Sequence, residues 1–183
     1  MKKILYSFLF FFFVSFSNAN ETYQIQVDKL FDQLKKTSNY KTAKEIETKI
    51  WGLWTTHPTK ESLTKLLEKG SSYMSKNQLT SAHNVFSKVI ELDPKWAEAW
   101  NKRATVLYIL GEFQKSQDDI DQVLALEQRH FGALAGQGLV NIQLKNYEKA
   151  IRSYEQAQEI YPAMRSPKIM IKQIEELIKE QTV

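Results

Sequence analysis

Cysteine is absent from the 183 residues of this sequence, and glycine and proline are scarce, with six and four residues. Without cysteine the chain has no disulfide bond, no thiol nucleophile and no thiolate metal ligand. The low glycine and proline content argues against a fibrous or disordered chain. A chain of this length forms one domain with a sizeable core, or at most two. The folded protein therefore depends on its apolar core alone.

A strong charge of one sign is also missing. Lysine and arginine number 25 against 21 aspartates and glutamates, which is a net charge of +4. Lys2 and Lys3 belong to a segment that we expect to be removed, and without them 23 basic residues face 21 acidic ones. This balance is typical of a solvated helical surface, and it is too small to indicate nucleic-acid binding.

The longest apolar run, Ile4 to Phe16, lies at the N-terminus. Two lysines precede it and Ser17-Asn18-Ala19 follows, which is the pattern of a secretory signal peptide over residues 1–19, cleaved after Ala19. The alternative is an uncleaved membrane anchor, but the run is shorter than the roughly 20 apolar residues that span a bilayer. No later run is long and apolar enough to span one. We therefore expect an exported protein with no membrane span after cleavage, periplasmic if the cell has an outer membrane.

Residues 63–164 repeat with a period of 34, as three units that align without gaps over 63–96, 97–130 and 131–164. Two columns hold small residues, namely Gly70, Ala104 and Gly138, and then Ala82, Ser116 and Ala150. In each unit a helix-period apolar pattern runs for about 14 residues, breaks at a polar or glycine turn, and resumes. Each unit is therefore predicted to be an antiparallel helix pair, with small residues where the two helices cross.

The aligned columns resemble the tetratricopeptide repeat (TPR). The resemblance covers residues 63–164 at nearly every signature position, including the aromatic residues Phe113 and Tyr147 that begin two of the second helices. It implies an all-α fold, a right-handed α-solenoid of antiparallel helix pairs. It also implies a protein-interaction module, because a solenoid presents an extended concave surface to a partner.

The segments on either side extend this array. Residues 20–62 can be aligned with the same frame, with extra residues from Pro58 to Ser62, and are interpreted as an N-terminal helix pair that forms a degenerate TPR. Residues 165–183 begin with Ser166 as an N-cap and Pro167 in the first turn. They are predicted to form a C-terminal capping helix, whose polar outer face solvates the end of the solenoid.

The stretch HFGALAGQGLV, residues 130–140, is rich in glycine and alanine and falls on the first helix of the third unit. A phosphate-binding loop would follow a strand, and no strand is predicted. Its small residues either pack against the preceding helix or leave a shallow floor for a partner. Arg129 and His130 lie in the preceding turn, where local capping or packing is preferred over catalysis. His57 and His83 fall in other units, so no histidine metal site is predicted.

The resemblance implies that the first helix of each unit lines the concave face and supplies the partner-binding residues. These are Ser71 and Met74 in the first unit, Asn101, Thr105, Tyr108 and Ile109 in the second, and Leu139, Ile142 and Gln143 in the third. Asn101 and Tyr108 are the preferred anchors, because a groove tyrosine combines apolar area with a polar tip. The alternative for Tyr108 is packing between repeats. Chaperone-binding TPRs grip a terminal carboxylate with cations at these positions; here no paired cations occur, so that activity is not implied.

Arg103 stands where most repeats carry leucine, and either Asp118 or Asp119 lies at the matching distance in the second helix. We predict a structural pair between Arg103 and Asp119. From the sequence we expect Arg103→Leu to be tolerated and Asp119→Ala to destabilise the protein.

These sequence features bear on three classes of function. The leading hypothesis is a non-catalytic interaction module of the cell envelope that binds a peptide or helix of another protein in the concave groove, with no cofactor and no metal. The alternative is a self-assembling or accessory subunit of a membrane-associated complex that uses the convex face or an exposed aromatic patch at Trp51 and Trp54. The preferred interpretation of these two tryptophans is that they seal the first helix pair against the next repeat. An enzyme is disfavoured because no catalytic residues, triad, metal cluster or cofactor fingerprint occurs.

Overall fold

The computed structural model describes residues 21–181 and contains only helices and their connections in that range. The first helix, α1, covers residues 21–36. The others are α2 (Tyr40–Thr55), α3 (Glu61–Ser75), α4 (Leu79–Leu92), α5 (Ala97–Ile109), α6 (Phe113–Leu126), α7 (Phe131–Gln143), α8 (Tyr147–Ile160) and α9 (Ser166–Gln181). The all-α solenoid that the sequence predicted is confirmed. The predicted signal peptide, residues 1–19, lies outside the described residues.

The three predicted units each contain one helix pair, α3–α4, α5–α6 and α7–α8, and successive pairs pack against one another. The turn inside each pair has the same backbone geometry, because Asn77, Gly111 and Lys145 all have a positive φ, of 58°, 78° and 59°. These three positions are 34 residues apart in the sequence. Asparagine and glycine are suited to this left-handed conformation, which ends the first helix and reverses the chain.

The small-residue column allows the two helices of a pair to approach closely. A methyl group at Gly70 would lie 2.5 Å from the ring of Phe86, and one at Gly138 would lie 2.5 Å from the ring of Tyr154. In the second unit Ala104 occupies the column, and Ser116 donates a hydrogen bond of 2.8 Å to its carbonyl oxygen. The aromatic rings of α4 and α8 are thus seated directly on the backbones of α3 and α7.

The C-terminal helix α9 packs against α8. Ile174 is buried with Ala150 and Tyr154, and Met170, Ile171 and Ile178 pack around them. This helix therefore covers the apolar side of the last repeat. None of the helices in residues 21–181 has the length and apolarity needed to cross a membrane.

The segment interpreted as a degenerate repeat, residues 20–62, packs differently from the three repeats that follow it. The segment does form a helix pair, but α2 contacts α5 rather than stacking on α3 as a further repeat would. Its core residues include Phe31, Ile50 and Trp54, which are buried together with Phe131 at the start of α7 and Tyr161 after α8. The physical reason is the aromatic face of the pair, which finds its apolar partners at the turns between the later repeats.

Candidate partner-binding groove

The first helices α3, α5 and α7 lie side by side and form the concave face. Between α5 and α7 is a cleft of about 80 Å³, lined by four of the predicted residues. These are Asn101, Thr105, Tyr108 and Leu139. Gly132 and Gly136 also line the cleft, so part of its wall is bare backbone. The structure therefore brings together one group of predicted residues on two adjacent helices.

The remaining predicted residues lie outside this cleft. Ile109 is 51% exposed and presents apolar surface to solvent, as does Leu139 inside the cleft, which is 38% exposed. Gln143 is exposed, whereas Ile142 packs beside the core of α8 and α9. In the first unit, Met74 packs on the core of α3 and α4. The Ser71 hydroxyl donates 3.0 Å to the carbonyl of Leu67, within its own helix.

Tyr108 is half-buried and has two environments. One side of its ring packs against Phe113 at a centroid distance of 5.6 Å, and the residue also lines the cleft. Thr105 lies one turn earlier, with its hydroxyl donating 3.0 Å to the carbonyl of Asn101. Tyr108 therefore packs against its neighbours and also lines the cleft, and its role as a partner anchor stays a prediction.

Asn101 is not the free anchor that the sequence suggested. Its side chain is buried, and its amide donates a hydrogen bond of 3.0 Å to Glu98. Glu98 is itself buried, accepts from His130 at 3.2 Å, and lies 3.2 Å from the ammonium of Lys102. Burial raises the pKa of Glu98, but the hydrogen bond from His130 and the charge of Lys102 lower it by a larger amount. The pKa of Glu98 therefore lies below its ordinary value. Asn101 thus belongs to a buried ionic network.

His130 caps the start of α7, as predicted for a turn histidine. Its Nδ1 accepts the backbone N–H of Ala133 at 3.0 Å, so the ring proton lies on Nε2 and is donated to Glu98. His57 repeats this arrangement: its Nδ1 accepts backbone N–H groups of Thr59 and Lys60, and its Nε2 faces Asp93 at 2.8 Å. Both imidazoles act as structural connectors, with both ring nitrogens in use.

The N-terminal helix pair covers one end of the concave face. Trp51 lies against Gly132, where a methyl group would come within 2.7 Å of the indole ring. Trp54 is stacked on His130, with ring centroids 3.9 Å apart and planes 8° apart. The Lys102 ammonium lies 5.8 Å from the centre of the Trp51 ring. Trp54 is buried and Trp51 is half-buried, so the two tryptophans seal the helix pair against the repeats, as the preferred interpretation expected, and do not form the exposed aromatic patch of the alternative function.

Polar contacts attach the helix pair and the linker that follows it to all three turns that end the repeats. In order of the turns, they are Asp93 to His57 at 2.8 Å, Trp96 Nε1 to the Trp54 carbonyl at 2.9 Å, Arg129 to Asp28 at 2.8 Å, and the Tyr161 hydroxyl to Glu47 at 3.1 Å. Sequence reasoning missed these contacts because their partners are far apart in the chain. The local signal was the helical spacing of Trp51 and Trp54 on α2.

A second cavity, of about 380 Å³, lies between this helix pair and the first two inter-repeat turns. It contains three carboxylates, each with a partner: Asp93 with His57, Glu98 with His130, and Glu127 with Arg129. Within residues 21–181 no group of histidine and acidic side chains is arranged to hold a metal ion. Asp93 contacts the linker after α2 directly, and Glu127 holds Arg129, which pairs with Asp28 on α1.

The predicted structural pair is present on the second unit. Arg103 donates two hydrogen bonds of 2.7 Å to the two carboxylate oxygens of Asp119, and a third of 3.1 Å to Ser87 on α4. The guanidinium also lies 5.0 Å from the centre of the Trp100 ring. The pair therefore connects α5 with both α6 and the preceding repeat.

Comparison with known proteins agrees with this architecture. The family model for the tetratricopeptide repeat matches residues 67–116 and 102–165. A TPR repeat-containing protein of Rhizobium etli is 30% identical over 159 residues, which is 87% of this chain and 78% of that protein. Among solved structures, the first TPR of Spaghetti bound to an HSP90 peptide has a TM-score of 0.62 at 22% identity, covering 64% of this chain and 93% of that one. The crystal structure of MamA protein has a TM-score of 0.59 at 24% identity, covering 86% and 82%. The chain therefore belongs to the tetratricopeptide repeat family.

Proposed function

We propose that this protein is a non-catalytic interaction module that binds a segment of a partner protein on its concave face. The observation that carries the proposal is the cleft between α5 and α7, where the exposed apolar side chain of Leu139 stands beside bare backbone at Gly136, with Ile109 exposed near the end of α5. A methyl group at Gly136 would meet only Ile120, at 3.7 Å, so packing within the chain does not require glycine at this position. The glycine keeps this wall of the cleft shallow. Exposed apolar surface next to a shallow wall suits the close approach of a peptide.

The covered end of the groove limits where this partner binds. Glu98 and Gly132 lie under the N-terminal helix pair, so the partner contacts the opposite end, around Thr105, Tyr108 and Leu139. The cleft contains no lysine or arginine. The bound segment therefore has uncharged side chains at this position, unlike the acidic HSP90 peptide SRMEEVD held by the Spaghetti TPR. Affinity comes from apolar contact and hydrogen bonds rather than from ion pairs.

The groove is tested by photocrosslinking in intact cells. A photoreactive amino acid at Ile109 is expected to capture one protein, and the same group at the exposed Leu92, on α4, serves as the control. The variant Leu139→Asp should abolish the adduct from Ile109, because a carboxylate in an uncharged cleft must be desolvated when the partner binds. An adduct that persists in Leu139→Asp, or one obtained equally from Leu92, would contradict groove binding. Equal thermal melting of variant and parent shows that the fold is intact.

The second part of the proposal is export to the cell envelope. It is supported by the basic, apolar and small-residue order of residues 2–19. Intact-mass measurement of the protein recovered from cells should give a chain that starts at Asn20, and fractionation should place it outside the cytoplasm. A full-length mass in the membrane fraction would indicate the anchor instead.

A further inference from the structure

A second groove lies on the N-terminal helix pair and is formed by α1 and α2 alone. Its volume is about 500 Å³. The floor consists of Leu30, Gly52 and Leu53, and the two leucines are only partly buried. Exposed polar side chains form the rim, namely Gln26, Lys29, Gln33 and Lys49. No residue of the repeats lines this groove, so it is separate from the concave cleft.

Gly52 is the unexplained residue of this floor. It lies inside α2, where glycine weakens a helix relative to alanine by about a fivefold change in the folding equilibrium. Gly70, Gly132 and Gly138 each have an aromatic ring within 3 Å of the position of a methyl group, which explains them. A methyl group at Gly52 would meet nothing within 4 Å. No contact within the described chain therefore requires glycine here, and close approach by an external group would account for it.

The charge on the rim defines the chemistry of that group. Lys29 and Lys49 are the charged residues that line the groove, and neither forms an ion pair with another described residue. Their ammonium groups are therefore available to carboxylates. The glutamine side chains of Gln26 and Gln33 add hydrogen-bond donors and acceptors along α1. The partner that fits has one apolar side chain for the floor and acidic side chains on both sides of it.

We propose that the groove between α1 and α2 docks an acidic amphipathic segment of another protein. An apolar side chain of that segment sits over Gly52 between Leu30 and Leu53, and flanking carboxylates pair with Lys29 and Lys49. This site is independent of the concave cleft. The helix pair is attached to all three inter-repeat turns, so the two sites lie on one folded unit.

The test begins with selection of a random-peptide display library on the purified protein. The enriched peptides are expected to carry an apolar residue flanked by aspartate or glutamate. Fluorescence anisotropy then measures each peptide against the parent and its variants. Gly52→Leu fills the floor and should weaken binding at least tenfold, as should Lys29→Glu combined with Lys49→Glu. Leu139→Asp, in the concave cleft, is the control and should leave the affinity unchanged.

A stability measurement separates loss of the site from loss of the fold. Gly52→Ala should raise the melting temperature and weaken peptide binding, because the methyl group stabilises the helix and obstructs the floor of the groove. Peptides that Leu139→Asp releases belong to the concave cleft and are set aside. Among the remaining peptides, a lack of acidic residues, or binding to Gly52→Leu as tight as to the parent, would overturn the proposal. Two further results would also overturn it. If the protein self-associates and Gly52→Leu abolishes this, a second copy is the occupant. If the protein binds phosphatidylglycerol vesicles and Gly52→Leu abolishes this, a lipid surface is the occupant.

Discussion

The indole ring of Trp54 lies flat on the imidazole ring of His130, with centroids 3.9 Å apart. Trp54 comes from the end of α2, and His130 caps α7 at the turn between the second and third units. Through this contact the N-terminal helix pair rests on the inter-repeat turns and covers the adjoining end of the groove. The pair and the repeats are therefore expected to unfold together, unless a substitution breaks the contact surface selectively.

Gly132→Ala should release the N-terminal helix pair. The added methyl group would lie 2.7 Å from the Trp51 ring, and the resulting displacement should weaken docking by about 1 kcal/mol after the gain in helix propensity is counted. Hydrogen exchange should become faster in α1 and α2 while α3 to α8 stay protected. Gly136→Ala is the matched control, because its methyl group would only touch Ile120 at 3.7 Å. Equal exchange in both variants would contradict this role for Gly132.

Docking should also weaken in acid. The buried Glu98 has a lowered pKa, so its stabilising contribution is complete above the ordinary glutamate pKa of about 4.3 and is lost as the pH falls through the lower value of the folded state. Asp93 behaves in the same direction: burial raises its pKa, but the hydrogen bonds from His57 and from the backbone of Lys95 lower it overall.

Urea unfolding at several pH values checks this dependence. Between about pH 5 and pH 3 the free energy of unfolding should fall more steeply for the parent than for Glu98→Gln. The glutamine keeps the shape and an acceptor for His130 but does not titrate. Parallel curves for the two proteins would show that Glu98 does not contribute.

Burial reverses the expectation drawn from the sequence for the Arg103–Asp119 pair. The Asp119 side chain is 6% exposed and that of Arg103 is 20% exposed. Arg103→Leu leaves a buried carboxylate without its partner and should cost about 2–3 kcal/mol. Asp119→Ala leaves a guanidinium that can turn towards solvent and still reach Ser87, and should cost about 1 kcal/mol.

Thermal melting of both variants, with the exposed Lys115→Leu as a control, measures this order. If Arg103→Leu melts at or above the temperature of Asp119→Ala, the sequence-based expectation stands and the burial argument fails.

Two glycine-to-alanine substitutions inside helices should change the free energy of unfolding in opposite directions. Gly138→Ala places a methyl group 2.5 Å from the buried Tyr154 ring and should destabilise the protein by about 1–3 kcal/mol through overpacking. Gly52→Ala meets open space and should stabilise it by about 0.5–1 kcal/mol. Denaturant unfolding gives both values directly. A shared sign would mean that the local packing differs from that described.

Part of the groove could be predicted from the sequence. The TPR resemblance placed Thr105, Tyr108 and Leu139 on the concave face, and all three line the cleft. It also placed Asn101 there, and Asn101 does line the cleft, but its side chain is buried and its amide donates a hydrogen bond to Glu98. A repeat frame specifies which way a residue faces. It does not specify whether another part of the chain has already covered that residue.

The sequence by itself determined the helix pairs, their turns and the Arg103–Asp119 pair, because each of these arises from interactions that recur every 34 residues or act between neighbouring helices. Only the tertiary structure decided where α1 and α2 lie, because their position depends on matching an aromatic face to surfaces contributed by distant residues. Trp51 against Gly132 and Trp54 on His130 are contacts of this kind. No local periodicity encodes them, since many apolar helix pairs have the same pattern, and the choice among surfaces is made by shape and by buried charge.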